Sequence, residues 1–321
     1  MKTYDVTALG ELLIDFTENG ISSQGNPILE ANPGGAPCNV LAMLNQLGKK
    51  TAFIGKVGRD SFGQMLKETV ESSGTDVSNL VMDDTVHTTL AFVHTAPDGD
   101  RQFSFYRNPG ADMMLTKQEV MADIITNSRI FHFGTLSSTH EGVREATRYA
   151  IDIAKEGGAL ISFDPNLREP LWNTLEDAKR EISYGLGKCD ILKISDNEIE
   201  FMTGTTDYTK GVASLQERYQ IPLIFATLGK EGSRAYYKDV MVEVGPFLQE
   251  HTIETTGAGD TFEGCALNYI LDHGFEGLTK EDLKELLTFA NAGASIITTR
   301  RGALKVMPTL EEIRQLMKER S

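Results

Sequence analysis

The stretch Glu254-Thr-Thr-Gly-Ala-Gly-Asp-Thr-Phe262 gathers residues that can do chemistry. Two glycines flank an alanine, a carboxylate follows, and Phe262, Ala266 and Ile270 recur at four-residue spacing. That spacing predicts one face of a helix. The amides of Gly257, Ala258 and Gly259 then crown the helix N-terminus, where N–H groups and the helix dipole favour an anion. Asp260 stands at the same place and can accept a proton. An anion cradle beside a base is what phosphoryl transfer to a hydroxyl requires. The same residues also fit an ordinary helix start, with Asp260 as N-cap and the glycines as turn residues.

Such a pair needs a frame to hold it. Strand-like segments fall at 4–9, 51–54, 130–133, 159–163, 191–194 and 223–227. Helix-like segments fall at 37–47, 61–73, 141–155, 175–184, 259–273 and 280–299. Ser61 reads as a cap with Gly74 past the helix end. Thr116-Lys-Gln-Glu119 and Thr309-Leu-Glu-Glu312 read as capping boxes, each opening a helix. Segments 234–237 and 240–244 read as a hairpin. The alternation predicts an α/β fold, a mostly parallel sheet with helices on both faces and ligands at the strands' carboxyl ends.

Two segments break this rhythm. Residues 16–33 are polar and mildly β-like. Residues 88–95 and 101–106 form two β-runs joined by Ala96-Pro-Asp-Gly-Asp100, a hairpin signal. They are either plain edge hairpins or a small β-lid built from about 16–33 and 86–110. An exposed sheet edge of that kind invites pairing with a second copy of the chain.

Composition narrows the class. At 321 residues the chain can bury a large core, and we expect one domain over 1–321. A net charge of −15 argues against nucleic acid or an anionic membrane as partner. Cys38, Cys189 and Cys265 lack metal-ligand spacing and read as reduced thiols of a cytoplasmic protein. There is no signal-peptide pattern, and no apolar run approaches the ~18 residues of a membrane span. His132 and His140 read as ordinary fold residues. A Walker P-loop, a Gly-x-Gly-x-x-Gly dinucleotide fingerprint and the protein-kinase set are all missing.

Gly34-Gly-Ala-Pro-Cys-Asn39 and Glu254-Thr-Thr-Gly-Ala-Gly-Asp260 resemble the two signatures of ribokinase-like (PfkB) carbohydrate kinases. Phe53-Ile-Gly-Lys-Val-Gly-Arg-Asp60, Phe131-His-Phe-Gly134, Thr227-Leu-Gly229 and Ala290-Asn-Ala-Gly-Ala294 resemble family counterparts in the same order along essentially the whole chain. Phe163-Asp-Pro-Asn-Leu-Arg168 with Leu171-Trp172, and Phe105-Tyr-Arg-Asn-Pro-Gly-Ala-Asp112, resemble the fructokinase branch most. The resemblance implies a three-layer ribokinase-like fold with a β-lid.

It also implies roles. Asp260 is the base, and Gly257, Ala258 and Gly259 hold the transferring phosphoryl group. Asp15, Gly34, Gly35, Asn39, Arg107 and Arg168 meet the sugar, although strand-end solvation of Asp15 and surface ion pairs of the arginines are the plainer readings. Gly34-Gly35 doubles as a lid hinge. Lys193, Thr227, Gly229, Gly232 and Asn291 meet the nucleotide. Counting back from Thr203-Gly204 pairs Ser195 with Glu198, and Glu198 acts on Mg²⁺ through water, unless these acids only solvate a helix. Glu254 stands where relatives have Asp, and with Thr256 it marks a K⁺ site. The expected activity is transfer of phosphate from ATP to the O6 hydroxyl of D-fructose. The alternatives are a 2-keto-3-deoxygluconate or other sugar kinase of the same fold, and a non-catalytic sugar or nucleotide sensor.

Overall fold

The computed structural model describes residues 2–95 and 101–319, so the expected turn at 96–100 lies outside the described residues. The chain runs β1 (Tyr4–Leu9), β2 (Leu13–Ile21), β3 (Pro27–Gly34), α1 (Ala36–Gln46), β4 (Thr51–Gly58), α2 (Ser61–Ser72), β5 (Asp76–Asp83), β6 (Leu90–Thr95) and β7 (Arg101–Tyr106). It continues with α3 (Ala122–Thr126), β8 (Ser128–Gly134), α4 (Glu141–Glu156), β9 (Leu160–Asp164), α5 (Leu175–Leu186), β10 (Ile191–Ser195), α6 (Asp196–Thr203) and α7 (Tyr208–Tyr219). The last part is β11 (Leu223–Thr227), β12 (Ser233–Tyr237), β13 (Val240–Val244), α8 (Ala258–His273), α9 (Lys280–Ile297) and α10 (Leu310–Glu319).

Nine strands form one sheet in the order β13-β12-β11-β10-β9-β8-β1-β4-β5. The pairs from β5 across to β11 are parallel, and β12 and β13 add antiparallel at the edge. The chain leaves β1 first toward β4 and β5, then returns to β8 on the other side. The crevice opens at such a reversal, beyond the strands' carboxyl ends. Two apolar clusters cover the two faces, one rich in α1, α8 and α9, the other in α4, α5 and α7. This three-layer α/β architecture is the expected one.

The segments that broke the rhythm form their own four-stranded sheet, ordered β3-β2-β6-β7. They are not edge hairpins of the main sheet. Phe16 stacks on Phe92 and meets the edge of Phe62 on α2, which holds this small sheet against the body.

Some local expectations change. The cap of α2 is Asp60, whose side chain accepts from Gly63 N at 2.8 Å, and Ser61 is already helical. The Thr116–Glu119 box exists but opens only a 3₁₀ turn. The Thr309–Glu312 box opens α10 as expected. Strand β5 carries no clear sequence signal. Its register against β4 shifts between Ala52 and Ile54, so its buried residues do not alternate strictly.

Candidate functional site

Helix α8 starts from Gly257, which takes φ +75° and abuts Ala303, where a side chain would collide. Glycine alone suits both demands. Asp260 therefore sits in the first turn as part of the helix rather than as its N-cap. Gly257 and Gly259 keep amides without acceptors among the described residues, whereas Ala258 N donates to Thr255 O at 3.2 Å. Of the three amides expected to face an anion, two are thus left without an acceptor in this conformation.

Helix α1 brings the partner of Asp260. Gly264 lets α1 and α8 touch closely, since a Cβ there would lie 2.7 Å from Met43 Cβ. Asn39 Nδ2 then donates to Asp260 Oδ2 at 2.8 Å across 221 residues of sequence. Asn39 Oδ1 is buried without a partner, an acceptor aimed at nothing in the protein. Burial pushes the Asp260 carboxyl up to about 6; the Asn39 bond, Lys193 and Arg168 oppose the rise, and Asp164 reinforces it.

Gly34 and Gly35 turn the chain from β3 into α1. A Cβ on Gly34 would overlap Asp15 Oδ2, and one on Gly35, at φ +132°, would overlap the Glu11 carbonyl. Asp15 thus lies directly against the glycine pair. Asp15, Asn32, Gly34, Asn39, Glu254 and Thr256 line one cavity between the small sheet and the loop before α8. Loss of solvent raises the Asp15 carboxyl to about 6, against Arg168 and with Glu254 and Asp260 adding to the rise.

A second charged group closes the floor. Lys193 on β10 donates to Asp164 at the end of β9 at 2.8 Å, both side chains buried. Its ammonium reaches the α8 N-terminus, 2.9 Å from where a Cβ of Gly259 would stand. Asp164 was not among the expected site residues, although it opens the Asp-Pro-Asn-Leu-Arg motif. Arg168 is exposed, donates to its neighbour Leu167 O, and is felt electrostatically by Asp15 and Asp260.

Three expected contacts take other partners. Arg107 does not line the cavity. Its guanidinium is buried against Asp112, Thr139 and the Leu136 carbonyl, a fork that anchors the end of β7 to the turn after β8. Asn291 accepts from Ser233 Oγ and donates to the Val244 and Gly245 carbonyls, clamping β12 and β13. Ser195 and Glu198 do pair, as a capping box of α6. Both Glu198 oxygens accept backbone amides, from Leu167 and Ser195. Each oxygen has a second lone pair, so Glu198 can still accept from a metal-bound water. Thr227 ends β11, and Gly229 and Gly232 follow it at φ +53° and +93°. Glu254 Oε1 accepts from Gly302 N at 2.7 Å, closing its loop onto the turn before α10.

A solved fructokinase from Xylella fastidiosa with bound ATP superposes with a TM-score of 0.89 at 29% identity, covering 98% of each chain. A double-mutant fructokinase from Vibrio cholerae, in a form bound to fructose, ADP and potassium ion, superposes with a TM-score of 0.87 at 27% identity over 99% of each chain. Probable fructokinase-2 of Arabidopsis thaliana is 43% identical over 307 residues, 95% of this chain and 93% of the relative. The model of the pfkB family of carbohydrate kinases matches residues 4–310, and this chain belongs to that family.

Proposed function

We propose that this chain is a fructokinase that moves the γ-phosphoryl group of ATP to the O6 hydroxyl of D-fructose. The observation that carries the reading is Asp260, buried in the first turn of α8 and bonded to Asn39, which with Asp15 lines the cavity. A hydroxyl attacks phosphorus only as its proton leaves, so a positioned carboxylate lowers the barrier. Asn39 engages Oδ2 and leaves Oδ1 of Asp260 for that proton. Asn39 Oδ1 and Asp15 accept sugar hydroxyls, and a carboxylate can take two vicinal ones. The Gly257 and Gly259 amides, the dipole of α8 and Lys193 meet the charge that grows on the phosphoryl oxygens.

ATP lies over the ends of β10 and β11, along Thr227, Gly229 and Gly232. When bound, Mg²⁺ offsets phosphate charge, and Glu198 suits it through water because its own oxygens already hold amides. Glu254 and Thr256 suit a monovalent cation through backbone carbonyls, which the longer acid leaves intact. The small sheet serves as a lid that excludes water, hinged at Gly34-Gly35. Its exposed Ile21, Ile28 and Tyr106 suit a second copy of the chain, a pairing that sedimentation as a monomer alone would remove.

The acidic cavity favours a neutral sugar over a sugar acid. Asp15 and Glu254 both line it, and Arg107 is turned away to Asp112. A substrate carboxylate would meet like charge there. The test is ADP release over a panel of fructose, glucose, ribose, ketodeoxygluconate and adenosine. We expect the largest kcat/KM on fructose. Turnover on ketodeoxygluconate or a nucleoside without turnover on fructose overturns the substrate assignment.

A further inference from the structure

Helix α8 carries a second acid one turn after Asp260. Glu263 has no solvent exposure. Its Oε1 accepts from Ser162 Oγ at 2.6 Å, and its Oε2 has no hydrogen-bond partner. Ser162 has given its one proton, so it accepts from Nδ1 of buried His132 at 2.9 Å. His132, Ser162 and Glu263 thus tie β8 and β9 to α8, and Ser162 lies two residues before Asp164 on the same side of β9.

The titratable groups around Glu263 are Asp260 on its own helix, His132 on β8, Asp164 on β9, and Lys193 and Cys189 on or just before β10. Among the described residues around it the cation is Lys193, which is already bonded to Asp164. A Glu263 anion would have one hydroxyl for support and two acids nearby. Buried charge without a counter-charge is strongly disfavoured.

We infer that Glu263 is a positioning residue for phosphoryl transfer, which works uncharged: through Ser162 it seats the Asp260 turn of α8 on β9 and spares the phosphate cradle another negative charge. The inference rests on the kinase reading above. Burial holds the Glu263 carboxyl up at about 8; the Ser162 bond and Lys193 oppose the rise, and Asp164 and Asp260 reinforce it. Above that pH the group loses its proton. The new anion beside the α8 N-terminus then repels the phosphoryl oxygens, so kcat falls with the sugar KM little changed.

The experiment is kcat against pH for the full chain with saturating fructose and Mg·ATP. Between pH ~7.5 and ~9.5 the natural chain should lose at least about fivefold in kcat. Glu263→Gln keeps the acceptor for Ser162 and cannot ionise, so its kcat should change less than about twofold over the same range. Ser162→Ala removes a bond that favours the anion, so its alkaline limb should move to higher pH. A flat natural profile, an unchanged limb in Glu263→Gln, or an unmoved limb in Ser162→Ala overturns the inference. Should Glu263→Gln fail to fold, Ser162→Ala decides alone. Turnover on another sugar but not fructose refutes only the substrate assignment, and the profile is then taken on that sugar. No turnover on any sugar sinks both.

Discussion

Asp260 can take a proton only when ionised, and its surroundings work against that. Burial and Asp164 raise its carboxyl to about 6, so kcat should fall as pH drops below about 6. Asp260→Asn keeps the shape and can keep a hydrogen bond to Asn39, yet cannot act as base. We expect kcat to fall by about 10²–10⁴, with the fructose KM within a few-fold and Tm undiminished. Near-full kcat in that variant would sink the mechanism. Arg107 is a different kind of residue. Its role is the buried fork on Asp112, with both side chains 2% exposed. Arg107→Met strands the Asp112 charge, and such losses cost about 3–5 kcal/mol. A large drop in the urea midpoint is expected; an unchanged midpoint would return Arg107 to the sugar side of the argument.

At the scale of elements, the proposed sugar site depends on the turn from β3 into α1. Gly35 at φ +132° faces the Glu11 carbonyl, and the Glu11 side chain accepts from Ala36 N at 2.9 Å. Gly35→Ala puts a methyl group into that carbonyl and adds about 1–3 kcal/mol of backbone strain. The turn must shift, and Asp15 and Asn39 with it. We predict a sugar KM at least about tenfold higher, with the ATP KM changed much less. Equal sugar affinity in the variant would separate this turn from the site. The same turn marks what was legible in the sequence. Gly34-Gly35 and Gly257–Gly259 stand out because glycine is needed where the backbone itself approaches a ligand or another element. The strands of the main sheet stand out because they are buried on both faces and read as apolar runs. Strand β5 does not, since its bulge breaks the period. The partners of Arg107 and Asn291 were hidden as well. Leu136, Thr139, Ser233 and Val244 lie about 30 to 60 residues away and meet them only through the fold. Glu263 reads as one more acid on α8, and only its bond to Ser162 on β9 reveals that it faces inward.

Across the whole molecule, the site stores its acids out of water. Burial raises Asp15 and Asp260 to about 6, Glu11 to about 7 and Glu263 to about 8. In the unfolded chain these groups return to the ordinary carboxylate range near 4. Between that range and about 8 the folded protein therefore binds more protons than the unfolded one, and stability rises as pH falls. The acids with lowered values, Asp60, Asp76, Asp83 and Glu119 among them, act the other way only below the ordinary carboxylate range, and buried His132, held down at about 3, opposes the trend only as pH falls through the ordinary value of 6.5. The net charge of −15 adds to the trend, because self-repulsion eases as protons bind. The ligand-free protein should thus gain Tm from pH ~8.5 down to ~6, while kcat declines at the lower end as Asp260 protonates. Glu263→Gln should reduce the slope of Tm between pH ~7 and ~8.5. Scanning calorimetry in matched buffers decides the matter. A Tm that climbs with pH through this window would mean that these carboxyls are solvated and charged in the folded state, and that the site is not the dry one on which the chemistry of Asp260 depends.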